Sequence, residues 1–101
     1  HMKLKIGIPK EIFSGENRVA LVPKQTLELI KLGFKVFMEK EAFVASGFNS
    51  KDFSEVTFLS SNAELYHSSD IILKIHPPLP EEIEFFNEKA VLISYLFPHK
   101  Y

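Results

Sequence analysis

Polar and apolar residues alternate along Lys3-Leu4-Lys5-Ile6-Gly7-Ile8, and the pattern stops at Pro9. A period of two puts successive side chains on opposite faces of an extended chain, so residues 3–8 predict a first strand. Residues 10–18 are polar and include Ser14-Gly15 and Glu16-Asn17-Arg18, the composition of a loop. Pro23 suits the first turn of a helix, where its missing N–H costs nothing. Leu27, Ile30 and Leu32 give that helix an apolar face, and Gly33 gives it a stop. Residues 34–39, Phe34-Lys35-Val36-Phe37-Met38-Glu39, predict a second strand. Strand, long loop, helix and strand are close to the minimum for a parallel crossover.

The second half repeats the alternation. Residues 41–49 read as a loop, residues 50–56 as a short helix, and Thr57-Phe58-Leu59 as a brief extended piece. Ser61-Asn62-Ala63-Glu64 has capping-box spacing and starts a helix toward Tyr66. Residues 70–75 form a nearly continuous β-branched run, the pattern of a strand covered on both faces. His76-Pro77-Pro78-Leu79-Pro80 breaks it, and residues 81–88 predict a short helix. Residues 90–96 read as another buried strand. Strands alternating with helices argue for an α/β layer around a parallel sheet. That last strand has no covering helix after it, which suggests one lobe of a longer chain.

Composition removes several classes of function. Twelve basic residues against thirteen acidic ones leave a net charge of -1, so no basic field exists to hold a phosphodiester backbone and nucleic acid is not expected as a partner. Absence of cysteine excludes a disulfide scaffold, a thiolate metal site and a Cys nucleophile. No apolar run reaches the roughly 18 residues of a membrane span. His1 before Met2 reads as a cloning remnant, and no signal peptide is apparent, so the chain is expected to be cytosolic or on the cytoplasmic side of a larger assembly.

Ligands of open parallel sheets gather at the carboxyl ends of the strands. Those ends are Pro9-Lys10-Glu11, Glu39-Lys40, Lys74 to Pro78 and Tyr95 to His99. Arg18 follows strand one, and Lys74 interrupts an apolar run where lysine is rare. Such a pair of cations suits a carboxylate or phosphate. Equally, Arg18 reads as a solvated loop charge and Lys74 as a snorkelling side chain. His76 and His99 also stand at strand ends, while His67 reads as a partner of a helix C-terminus. Gly7, Gly15, Gly33 and Gly47 form no G-x-G-x-x-G, and no P-loop or nucleophile elbow is present. The four histidines form no metal-ligand motif.

Ile6-Gly7-Ile8-Pro9-Lys10-Glu11, Gly15-Glu16-Asn17-Arg18-Val19-Ala20-Leu21, Lys31-Leu32-Gly33-Phe34-Lys35-Val36, Ile71-Ile72-Leu73-Lys74 and Pro78-Leu79-Pro80-Glu81-Glu82 are more specific. Together they resemble the N-terminal lobe of the alanine dehydrogenase and nicotinamide nucleotide transhydrogenase superfamily, in order and across nearly the whole chain. The resemblance implies an α/β, parallel, Rossmann-like or flavodoxin-like three-layer lobe without its own nucleotide fingerprint. It makes residues 1–101 a single N-terminal lobe of a two-lobe NAD(H)-binding component. In alanine dehydrogenases the positions of Arg18 and Lys74 hold the substrate carboxylate, and a catalytic His follows a Tyr-Leu pair. Here Phe97 follows Tyr95-Leu96, and His99 lies two residues on, past Pro98. Two residues of extended chain move a side chain roughly 6–7 Å. An aromatic followed by Pro is the transhydrogenase pattern.

That branch implies hydride transfer between NADH and NADP⁺ coupled to proton translocation. It also implies a homodimer, a second NAD-binding lobe, and partner components that bind NADP(H) and span the membrane. Arg18 and Lys74 then become cleft-lining residues; no catalytic, cofactor-binding or metal residue is expected within these residues, and the piece alone is expected to be inactive. Val22 stands where many members have Thr before the helix-opening Pro, so an N-cap hydroxyl worth about 1 kcal/mol is missing. The rival readings are an alanine dehydrogenase-like amino-acid dehydrogenase and a stand-alone non-catalytic binding module. A phosphorylated receiver domain fits poorly, because the strand ends that need acids carry Lys10 and Lys74.

Overall fold

The computed structural model describes residues 3–11, 19–40, 42–43, 47–76 and 78–94. Strands β1 (Lys5–Ile8), β2 (Lys35–Glu39), β3 (Thr57–Leu59), β4 (Ile71–Lys74) and β5 (Val91–Ser94) form one sheet in the order β3-β2-β1-β4-β5, with every pairing parallel. Helices α1 (Pro23–Lys31), α2 (Asn62–Ser68) and α3 (Pro80–Ile83) lie between them. This order is Rossmann-like rather than flavodoxin-like, with the reversal point between β1 and β4.

The period of two sorts the strands into two faces. Ile6, Ile8, Val36, Met38 and Leu73 point to one core, which Leu29 and Ile30 of α1 help to cover. Phe37 and Ile72 point to the other, where Leu65 and Tyr66 of α2 are fully buried. Three layers result, as alternation implies. Gly7 faces α2 so closely that a Cβ there would stand 2.1 Å from Ser69 Oγ, so only glycine lets α2 settle on β1. Asp70 fixes the opposite end of the same pair: Lys5 N–H donates to its Oδ2 at 2.9 Å.

Several sequence expectations change in detail. Leu32 is 75% exposed at the C-cap of α1, and the residue that α1 buries is Thr26. Its hydroxyl donates to Pro23 O at 2.7 Å, so burial leaves no donor unpaired. Gly33 has φ +102 and ends α1 as expected. Val22 has no capping hydroxyl, and Gln25 compensates in part by accepting from Val22 N–H at 3.1 Å. The helix expected over 50–56 is only a 3-10 turn at Ser50–Asp52, capped by Asn49. Ser61 caps α2 by accepting from Glu64 N–H, and His67 sits in its last turn. The helix expected over 81–88 is limited to α3. The strand expected to be buried over 90–96 is an edge strand instead: Val91, Leu92 and Ile93 are 56%, 37% and 44% exposed.

Candidate functional site

Lys74 ends β4 on the α2 side of the sheet, two residues after Ile72, and is only 1% exposed. A lone ammonium there would cost several kcal/mol in lost hydration, so it needs partners. Glu11, just after β1, brings Oε1 to 3.6 Å from Nζ. Glu82, in α3, brings Oε2 to 3.5 Å. Lys74 is therefore not a snorkelling side chain; it is an enclosed cation between two carboxylates.

Each carboxylate is held in turn. Glu82 Oε1 accepts from Leu79 N–H at 2.8 Å, which closes the first turn of α3, and Oε2 accepts from the Tyr66 hydroxyl. Burial and the adjacent Glu82 carboxylate push the Tyr66 phenol far above its ordinary range, so it stays a neutral donor. Glu11 Oε2 accepts from Ile75 N–H at 3.0 Å and Oε1 from His76 N–H at 3.2 Å. These amides lie just past the β4 ladder, and Glu11 supplies an acceptor to each.

The other side of β1 is tied the same way. Lys10 N–H donates to Glu39 Oε1 at 2.9 Å, joining the ends of β1 and β2. Burial raises the Glu39 carboxyl above its ordinary value of 4.5, against the pull of Lys10 and Lys74. Among the described residues no buried side-chain polar atom lacks a partner. An apolar recess lined by Lys40, Phe43, Ser50 and Phe58 opens elsewhere, near the outer strands, and converges on no catalytic group.

The structure thus places Lys74 at the reversal point of the sheet, where a ligand of such folds lies. Arg18, Tyr95, Leu96, Phe97, Pro98 and His99 lie outside the described residues. Reading the sequence missed Glu82 and Tyr66. The available signal was Lys74 itself: a lysine in a buried run demands a carboxylate, and Pro80-Glu81-Glu82 offers the next acids along the chain. No group of three or more His, Cys, Asp or Glu among the described residues could hold a metal ion, and no helix among them is long and apolar enough to cross a membrane.

The alanine dehydrogenase/PNT N-terminal domain family matches residues 7–101, and the chain belongs to that family. Both branches are represented among its relatives at nearly equal identity. An alanine dehydrogenase of Staphylococcus saprophyticus is 39% identical over 93 residues, covering 90% of this chain and 25% of the relative. The NAD(P) transhydrogenase subunit alpha of Haemophilus influenzae is 38% identical over 93 residues, covering 91% of this chain and 18% of the relative. The chain therefore spans a quarter or less of the length of these curated relatives. Among solved structures, a transhydrogenase from Sinorhizobium meliloti superposes with TM-score 0.84 at 28% identity, covering 91% of this chain and 28% of that one. An L-alanine dehydrogenase superposes with TM-score 0.80 at 29% identity, covering 90% and 26%. Family members of both kinds are oxidoreductases.

The described residues do not fit a dinucleotide on their own. Where a nucleotide-binding turn after the first strand carries glycines, this chain has Pro9-Lys10-Glu11, with Pro9 buried and lacking an amide hydrogen. The Glu11 carboxylate already occupies the Ile75 and His76 amides and would repel a pyrophosphate.

Proposed function

We propose that the chain is the N-terminal part of the NAD(H)-binding component of a proton-translocating NAD(P) transhydrogenase. The observation that carries this reading is Phe97-Pro98 after Tyr95-Leu96. A phenyl ring cannot move a proton, and oxidation of an amino acid needs an acid–base group. Hydride transfer between two nicotinamides needs none; it needs orientation and exclusion of water. A Lys74 already enclosed by the carboxylates of Glu11 and Glu82 supports the same reading, since it has ion-pair partners within the chain. In this reading Arg18 and Lys74 line the wall of the cleft toward a second lobe, which binds NAD(H). The partners are that lobe, an NADP(H)-binding component, a membrane component and a second copy of the chain, on the cytoplasmic side of the membrane. The 101 residues alone transfer no hydride.

An alanine dehydrogenase is the second reading, favoured by the relative at 39% identity. There the substrate carboxylate would reach Lys74 by displacing Glu11 or Glu82. The full-length protein, assayed with its partner components, should transfer hydride from NADH to NADP⁺ and show no ammonia-dependent reduction of pyruvate. Pyruvate reduction without transhydrogenation would establish the second reading in its place.

A further inference from the structure

Glu11 spends its whole carboxylate on groups that an incoming anion would use. Two consecutive amide hydrogens, from Ile75 and His76, and the Lys74 ammonium all face it, at 3.0, 3.2 and 3.6 Å. Successive backbone N–H groups beside a cation have the composition of an anion site. Here the occupant is supplied by the chain itself, and the Glu11 side chain is only 4% exposed. It reaches across 64 positions in sequence to Ile75, so one carboxylate joins the exit of β1 to the exit of β4. On the far side Glu82 pulls Nζ from 3.5 Å, and the ammonium rests between two oxygens at nearly equal distance. Without Glu11, the Ile75 and His76 amides lose this acceptor, and among the described residues Glu82 is the ion-pair partner left to Lys74.

We infer that Glu11 is the positioning residue of this site: it fills an anion position built from the Ile75 and His76 amides and the Lys74 ammonium, and so fixes where that ammonium lies. It touches no reacting atom and acts through Lys74. The geometric part stands without any assigned reaction; its kinetic expression rests on the function proposed above.

Two measurements on the full-length protein test it. Glu11→Ala vacates the position, and millimolar acetate or formate should then raise Tm toward the wild-type value, while chloride at equal ionic strength should not. Wild type should show no such selectivity. If Glu11→Ala yields no folded protein, Glu11→Gln serves for acylation of lysines with acetic anhydride, read by mass spectrometry. Lys74 should be acylated about tenfold faster than in wild type, with exposed Lys3 and Lys24 unchanged. No carboxylate-selective rise in a folded Glu11→Ala, or an unchanged Lys74 rate, overturns the inference.

A kinetic cycle then separates positioning from plain stability. Glu11→Gln alone should lower kcat/KM about tenfold, and in a Lys74→Met background it should change it less than about twofold. Additive losses would mean that Glu11 does not act through Lys74. The cycle is run on whichever hydride transfer the protein performs, so a wrong choice of reaction shows in the activity and a wrong role for Glu11 shows in the additivity.

Discussion

Lys74 brings one positive charge into a region where Glu11, Glu82 and Glu39 bring three negative ones. Removing the cation leaves carboxylates buried without compensation, which costs more than the pair contributes. Lys74→Met should therefore destabilise the protein by about 3–5 kcal/mol, and adding Glu82→Gln should recover part of the loss; denaturant titration of the three proteins checks both statements. Glu39 behaves in the opposite sense. Its carboxyl binds a proton more tightly folded than unfolded, so the ionised form weakens the fold. That penalty is present at neutral pH, shrinks as pH falls through the raised folded value and vanishes below 4.5. Glu39→Gln keeps an acceptor for Lys10 N–H and removes the charge. Its Tm should exceed that of wild type near neutrality, and the gap should close by about pH 4. Half of this cluster was legible beforehand. A lysine inside Ile71-Ile72-Leu73-Lys74 is anomalous on its face, and the strand ends named Glu11 and Glu39 as neighbours. Glu82 was signalled only indirectly, as one of the next acids after Lys74, and Tyr66 was not legible, because α2 and α3 meet only in three dimensions and nothing in local spacing joins residues 16 positions apart.

At the level of elements, the helix starts carry testable differences. Val22 has the extended backbone of an N-cap, φ -87 and ψ 164, but no oxygen to offer. It is 40% exposed, so a hydroxyl there faces no burial penalty. Val22→Thr should stabilise the protein by about 0.5–1 kcal/mol, seen as a higher denaturation midpoint at unchanged slope. The same elements show where pattern reading succeeds and fails. Strand positions were readable because alternation in β1 and continuous β-branching in β4 have distinct periods. The α1 face was misread because Thr26 counts as polar by type, although one bond to Pro23 O makes it a core residue. Burial of β5 was misread because an apolar run looks alike whether or not something covers it, and β5 stands at the end of the sheet order.

For the whole molecule, that edge has a cost. Val91, Leu92 and Ile93 present apolar side chains on the strand that ends the sheet order among the described residues, a template for another strand. The 101-residue chain prepared alone should associate increasingly with concentration, and Ile93→Lys should reduce this; sedimentation velocity over a tenfold concentration range decides. The central strand has a different consequence, one of timing. β1 is made before the other four strands of this sheet, yet its two neighbours end at residues 39 and 74. On the ribosome, one side of β1 can close early, while the other waits until β4 has left the exit tunnel. Throughout that interval Ile6-Gly7-Ile8 has an open flank. A nascent chain stalled between those two points is the form of this protein most open to wrong pairing, and the form on which a chaperone has most to hold.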